Sequence, residues 1–276
     1  MRIPPAKALL ATALAAFLLL SASTAHARTV VRFATNLGAI DIELFDETMP
    51  DTVANFLNYV RSGNYTASIF HRSTTHKPAS IQIVQGGGFF LAGNSISPIP
   101  TASPIALEPS GPNLRGTIAM ARTSDRNSAT SQWYFNVTDN PALDGNYAVF
   151  GKILGPAGFT TLNAVSAVPT YNASVQLGDA FSEFPLLQPA LLTTNLVLVQ
   201  SAQIIPPALR ITGFEKTASG FRIDWTAEPP GRAVDIQRST DLVSGPWTTL
   251  STNNSNSTFT DTNPPEAKAF YRVSVP

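Results

Sequence analysis

Two short runs of alternating apolar and polar residues open the folded part of the chain. Val30-Val31-Arg32-Phe33-Ala34 and Ile40-Asp41-Ile42-Glu43-Leu44 flank Thr35-Asn36-Leu37-Gly38, a pattern that predicts a β-hairpin. The period then changes from two to three or four. Val53, Phe56, Leu57 and Val60 share one helical face, with Thr48 as the expected cap, Pro50 in the first turn and Gly63 as the stop. Next, Ile69-Phe70-His71-Arg72 is separated by a polar loop over 73–80 from Ile81-Gln82-Ile83-Val84-Gln85-Gly86-Gly87-Gly88-Phe89. The pattern predicts strand, turn and strand, an arrangement that can aim one cation and one amide into the same shallow pocket.

Residues 90–114 are rich in Pro, Ser and Gly with little periodicity and read as a long surface loop. Short strands are expected over 117–121, 132–137 and 147–153, punctuated by turns at Asn140-Pro141 and Asp144-Gly145. A looser apolar stripe, Phe159, Leu162, Val165 and Ala167, predicts a second helix over 159–168, and 171–194 shows no clear period. Leu196-Val197-Leu198-Val199, continuing to Ile204-Ile205, reads as a closing strand that pairs with the first hairpin if the sheet closes. Pro206-Pro207-Ala208 then breaks the pattern as a linker between domains. Beyond it Phe221-Arg222-Ile223-Asp224-Trp225, Val234-Asp235-Ile236-Gln237 and Tyr271-Arg272-Val273-Ser274-Val275 alternate again, predicting a small all-β sandwich over 209–276, with 251–260 as a surface loop.

Composition narrows the chemistry. Of 276 residues 43% are hydrophobic, enough for a folded core, and 18 Lys+Arg balance 18 Asp+Glu, which offers no electrostatic case for nucleic acid or an acidic membrane surface. With no cysteine there is no disulfide, thiolate metal site, cysteine nucleophile or cysteine-linked lipid anchor. Histidine occurs at 26, 71 and 76 alone, which argues against a histidine metal site; no metal or cofactor is expected. Arg2 and Lys7 precede an apolar run over 8–20 and then Ala25-His26-Ala27, the parts of a secretory signal cleaved after Ala27. The run is shorter than the roughly 20 residues a spanning helix needs. The chain is therefore expected to be exported, to the periplasm or outside, without stable membrane insertion.

Five blocks occur in order: Phe70-His71-Arg72; Gln85-Gly86-Gly87-Gly88-Phe89; Gly116-Thr117-Ile118-Ala119-Met120-Ala121-Arg122; Ser131-Gln132; and Leu143-Asp144-Gly145 before Ala148-Val149-Phe150-Gly151-Lys152. Over roughly 30–205 they closely resemble the cyclophilin peptidyl-prolyl cis-trans isomerases, nearest to the bacterial exported branch. The resemblance implies a mainly β fold, a closed eight-stranded antiparallel barrel with two capping helices over 28–205. The small C-terminal sandwich is similar to fibronectin type III modules, with Trp225 on an early strand and Tyr271 on a late one. Implied partners are proline-containing polypeptides, and the chain is expected to act as a monomer.

The implied reaction is rotation about the bond preceding proline, whose barrier of ~18–20 kcal/mol reflects amide resonance. Such a catalyst needs no nucleophile, only an apolar slot for the ring, a donor to the twisted amide nitrogen and groups that hold the flanking backbone. Alone, Arg72 reads as a surface ion pair; within its motif the resemblance makes it the catalytic donor, with Gln85 holding a substrate backbone group. Ile83, Tyr134 and Leu143 are the implied slot, Met120 its floor, and Ala121 and Arg122 the neighbouring groove. Tyr147 replaces a histidine common outside bacteria, and its hydroxyl can still donate. His71 is expected to pack and hydrogen-bond, and Gly86, Gly87 and Gly88 to be structural.

Three departures stand out. The loop before Gln85 is five residues longer than in compact members, Gln82 occupies a position usually held by phenylalanine, and Ala142 one held by tryptophan or phenylalanine. Each substitution removes apolar wall, which Ile81 or Phe90 is placed to refill. Two readings stay open: an isomerase that assists the folding of exported proteins, and a proline-peptide binding module or chaperone with a degenerate site. A purely structural surface protein ranks last.

Overall fold

In the computed structural model β1 (Val30–Thr35) and β2 (Gly38–Leu44) form the expected antiparallel hairpin, Thr35 opposite Gly38. Arg32 lies directly opposite Asp41, and its Nε and Nη2 donate to the carboxylate at 2.7 and 2.8 Å. The structure describes residues 28–76, 81–206, 208–228, 232–243, 245–265 and 268–275. The expected secretory signal, part of the 73–80 loop and Pro207 of the expected linker lie outside these residues.

Helix α1 (Pro50–Arg61) buries Val53, Phe56, Leu57 and Val60 as its stripe predicts, together with Thr52 and Tyr59. Its N-terminus corrects the expected cap. Met49, not Thr48, occupies the cap position, and the Glu108 carboxylate accepts from the amides of Asp51 at 3.1 Å and Thr52 at 2.7 Å. A remote acid thus satisfies the unpaired amides and faces the positive end of the helix dipole, so no local side chain is needed.

The chain continues through β3 (Ser68–Ile69), β4 (Arg72–Ser73), β5 (Ile83–Gly86), β6 (Phe89–Ala92), β7 (Ser95–Pro98), β8 (Thr117–Met120), β9 (Trp133–Asn136) and β10 (Val149–Ile153). The expectation of a loop throughout 90–114 is corrected by β6 and β7, a hairpin turning at Gly93, which adopts φ 61°. Helix α2 (Gly155–Ser166) begins before residue 159 because Pro156 supplies its first turn rather than leading into it. After it come β11 (Thr170–Tyr171), α3 (Ser174–Leu177), β12 (Phe184–Pro185) and β13 (Leu198–Ile205).

These strands build one curled antiparallel sheet in the order β4-β5-β9-β8-β10-β2-β1-β13-β3-β6-β7, while β11 and β12 pair separately. The closing strand is where its apolar run places it, with Val30 opposite Ile205. Phe33, Phe56, Tyr65, Trp133, Phe135 and Phe150 are fully buried at the centre of the core inside the curl. The ring centroids of Phe33 and Trp133 are 5.0 Å apart and those of Phe56 and Phe150 4.9 Å. Trp133 needs room that only glycine leaves: a Cβ on Gly86 would stand 2.5 Å from its ring, and one on Gly87, where φ is +74°, 2.6 Å from Nε1.

Six further strands follow: β14 (Ala208–Thr217), β15 (Gly220–Glu228), β16 (Val234–Ser239), β17 (Thr248–Asn254), β18 (Thr258–Asp261) and β19 (Phe270–Ser274). They form two three-stranded sheets, β14-β15-β18 and β17-β16-β19. Ile223, Trp225, Val234 and Ile236 make a buried cluster drawn from both. The polar stretch 251–260, expected as a loop, is corrected to the end of β17, a turn and the start of β18. Ser, Thr and Asn can occupy strand positions that face water, so composition alone misleads there. Arg232 is 4% exposed, and its Nη2 donates to the Arg28 carbonyl at 2.6 Å, tying this part of the chain to the approach to β1.

Candidate active site

Strand pairing aligns one row of side chains. Arg72 lies opposite Gln85, Gln85 opposite Tyr134, Tyr134 opposite Ala119, and Ala119 opposite Val149, across β4, β5, β9, β8 and β10. Residues opposite one another in an antiparallel sheet share a face, as do residues two apart on a strand. Ile83 and Ala121 therefore join this row, whereas Val84, Trp133, Phe135 and Met120 face the core. Consistent with that parity, Ile83, Ala119, Tyr134, Leu143 and Val149 form an apolar cluster of their own.

A pocket of about 190 Å³ lies on this face, lined by Arg72, Thr74, Ile81, Ile83, Gln85, Ala121, Arg122, Tyr134, Leu143 and Tyr147. It is smaller than the ~300–1,000 Å³ typical for drug-sized ligands, a size suited to one side chain rather than a whole ligand. Eight of the nine residues singled out from the sequence are brought together here. Met120, expected as the pocket floor, is the correction: it is 1% exposed in the core inside the curl, because one step along β8 from Ala119 reverses the side chain's face.

Polar contacts organise the mouth. Arg72 Nη1 stands 3.4 Å from Gln85 Oε1, and Gln85 Nε2 donates to Gln132 Oε1 at 2.8 Å. Arg72 Nε donates to Glu183 Oε2 at 3.1 Å. On the far side the Arg122 guanidinium lies over the Tyr147 ring at 4.7 Å, its Nε donating to the Asn146 carbonyl at 2.8 Å. Tyr147 meets Tyr134 edge-on at 5.7 Å and 84°.

The Tyr134 hydroxyl donates to Asn113 Oδ1 at 2.8 Å, and burial holds its proton well beyond the ordinary tyrosine range. Asn113 Nδ2 in turn reaches Asp144 Oδ1 at 3.1 Å, and Asn136 Nδ2 reaches Asn113 Oδ1 at 3.2 Å. Asn113, Gln132 and Glu183 thus support the site from positions that were not candidates. Gln132 stands inside a quoted block and could have been found; Asn113 and Glu183 are lone polar residues in aperiodic stretches, with no signal of their own.

Of the apolar residues placed to refill the wall, Ile81 lines the pocket, while Phe90 packs against the core inside the curl. Ala142 is exposed and contributes nothing to the lining, and the Gln82 backbone is engaged with Asn140 and Val137. Beside the pocket the Thr74 hydroxyl donates to the Ile81 carbonyl and accepts from the Ile83 amide.

His71 is 1% exposed and meets the Phe89 ring edge-on at 5.1 Å. Burial first, and then the adjacent Arg72 charge, push its pKa from 6.5 down to about 4, so the ring is neutral and faces structure rather than the pocket. No group of three acidic or histidine side chains able to hold a metal occurs among the described residues.

Residues 30–180 match the family model described as cyclophilin type peptidyl-prolyl cis-trans isomerase/CLD. The chain belongs to that family. A peptidyl-prolyl cis-trans isomerase of Acinetobacter baylyi is 42% identical over 159 residues, covering 55% of this chain and 79% of its own. Peptidyl-prolyl cis-trans isomerase A of Dickeya dadantii is 40% identical over 191 residues, covering 67% of this chain and 88% of its own. A solved cyclophilin-type isomerase of Cryptosporidium parvum superposes with a TM-score of 0.48 at 26% identity, covering 65% of this chain and 98% of that one. As a cyclophilin, the chain is an isomerase that rotates peptidyl-prolyl bonds and uses no cofactor.

Proposed function

We propose that this cyclophilin accelerates X-Pro rotation in exported polypeptides, in the periplasm or outside the cell, and so assists their folding. The observation that carries the reading is the convergence of one cation and one amide, Arg72 and Gln85, on a one-side-chain pocket whose apolar wall is Ile83, Tyr134 and Leu143. The proline ring enters that wall. As the amide twists, its nitrogen becomes pyramidal and basic, and an Arg72 N–H donates to it, an interaction that grows toward the transition state. Gln85 holds a substrate backbone group, Ala121 and Arg122 border the flanking chain, and the Tyr147 hydroxyl donates to a substrate carbonyl. No proton is abstracted, so a neutral His71 pointing away from the pocket fits the chemistry.

The same reading takes residues 28–205 as the isomerase unit. Its curled sheet is closed and eight-stranded, with β3 and β4 as one edge-joining strand, since two residues separate them while β3 pairs β13 and β4 pairs β5. The two terminal sheets are a fibronectin type III-like sandwich, an assignment supported by their shared cluster around Trp225. The unit acts as a monomer on proline-containing segments, delivered to its compartment by the secretory signal over 1–27.

The binding-module reading keeps one observation in its favour: Ala142 leaves the pocket without an aromatic wall at that position. Refolding of a denatured protein whose slow phase is limited by proline separates the two. An isomerase shortens that phase at substoichiometric amounts; a binder leaves its rate unchanged, and that result would refute the proposed role.

A further inference from the structure

The geometry assigns Glu183 as a positioning residue for Arg72, an inference that rests on the reading of Arg72 as donor. Glu183 lies outside the residues matched by the family model, 30–180, and reaches the site from 111 positions along the chain. Its placement is built rather than incidental. Phe181 and Phe184 flank it in sequence and are fully buried, with ring centroids 5.0 Å apart, and Phe181 packs on Phe89 at 4.6 Å. On the backbone, the amide of Ser73, the residue after Arg72, donates to the Glu183 carbonyl at 2.9 Å. Two anchors, one apolar and one a backbone hydrogen bond, thus set the acid beside the guanidinium, where Oε2 lies 3.1 Å from Nε.

A guanidinium carries five N–H groups in a rigid plane. The Arg72 side chain is 41% exposed, so packing alone does not hold that plane; Glu183, only 13% exposed, is the more fixed partner. Glu183 takes the Nε edge, and Gln85 Oε1 stands near Nη1. Acceptors on two different edges fix both the tilt and the rotation of the fork, and leave the remaining N–H groups for a substrate in the pocket that Arg72 lines. Fixing a donor before the reaction avoids reorganising it during the reaction. Glu183 itself does not line the pocket, so the role assigned to it passes through Arg72.

The test is steady-state isomerisation of a short Ala-Pro peptide by the full chain and four variants: Glu183→Ala, Glu183→Gln, Arg72→Ala and the double Glu183→Ala/Arg72→Ala. We expect Glu183→Ala to lower kcat about ten-fold with KM changed less than about two-fold, because the slot is intact while the donor is loose. Glu183→Gln, whose amide oxygen still accepts from Nε, should stay within about three-fold of wild type, and Glu183→Ala should add nothing once Arg72 is gone. Wild-type kcat in Glu183→Ala, a Gln variant as poor as the Ala variant, or a full further loss in the Arg72→Ala background would each overturn the assignment. Full activity in Arg72→Ala would instead overturn the donor reading itself. If Glu183→Ala does not fold, the 15N–1H signal of Arg72 Nε–H decides: slow exchange with solvent in wild type and Glu183→Gln supports the clamp, and fast exchange in wild type refutes it.

Discussion

Arg72 and Gln85 face each other across a single antiparallel step of the sheet, and Gln85 passes the contact on to Gln132 at 2.8 Å. The cation and the amide of the site are therefore spaced by backbone pairing, not by loop conformation. Replacing Gln85 with Leu removes an acceptor near Nη1 and the donor to Gln132 without emptying the space. Turnover of a proline peptide should fall about ten-fold while thermal stability changes little. Unchanged kcat/KM would show that Gln85 only bonds to its neighbours.

Stability should depend on His71. Its folded pKa, about 4, lies below its ordinary 6.5, so the unfolded chain takes up the proton first as pH falls. The contribution is complete above about pH 6.5 and is lost between there and pH 4, amounting to about 3 kcal/mol. Thermal melts across pH 4–8 should show this decline, and His71→Gln should flatten it.

Alanine at position 142, where related sequences carry an aromatic residue, predicts weak retention of the proline ring. One buried aromatic contact contributes about 1–2 kcal/mol. Ala142→Trp should tighten binding of a proline peptide about five- to thirty-fold, read as a fall in KM for peptide isomerisation. Equal affinity in the two proteins would mean that the wall is rebuilt elsewhere, with Ile81 the residue to examine next.

Trp133 fills the core because Gly86 and Gly87 leave its ring space. Gly86→Ala places a Cβ 2.5 Å from the ring, on a strand residue paired directly with Trp133. Overpacking of this kind costs about 1–3 kcal/mol, so the denaturation midpoint should fall visibly. A midpoint equal to wild type would place the need for glycine elsewhere in the run.

Legibility in the sequence followed the range of the interaction. The β1–β2 hairpin and the buried stripe of α1 rest on periods of two and about three and a half, and both could be read directly. Arg72 and Gln85 each end a short apolar run, which predicts their shared face, but it took the surrounding motif to single them out from ordinary surface residues. Met120 was misplaced because a motif conveys neighbourhood but not parity, and parity on β8 sends it inward. Glu108 at the helix N-terminus, Asn113 beneath Tyr134 and Glu183 beside Arg72 act across long separations from stretches without period. Nothing local distinguishes such residues from solvated polar side chains. The β6–β7 hairpin was hidden by Pro and Ser around it, although Gly93-Asn94 marks its turn.

The most direct measurement is a protease-coupled isomerisation assay on an Ala-Pro-Phe peptide, comparing the protein with Arg72→Ala. Uncatalysed exchange takes tens to hundreds of seconds at about 25 °C. The account predicts that the protein shortens this well below the uncatalysed time and that Arg72→Ala, folded as judged by its thermal melt, loses nearly all of the acceleration. Equal acceleration by both proteins would contradict the role given to Arg72, and no acceleration by either would contradict the active site as a whole.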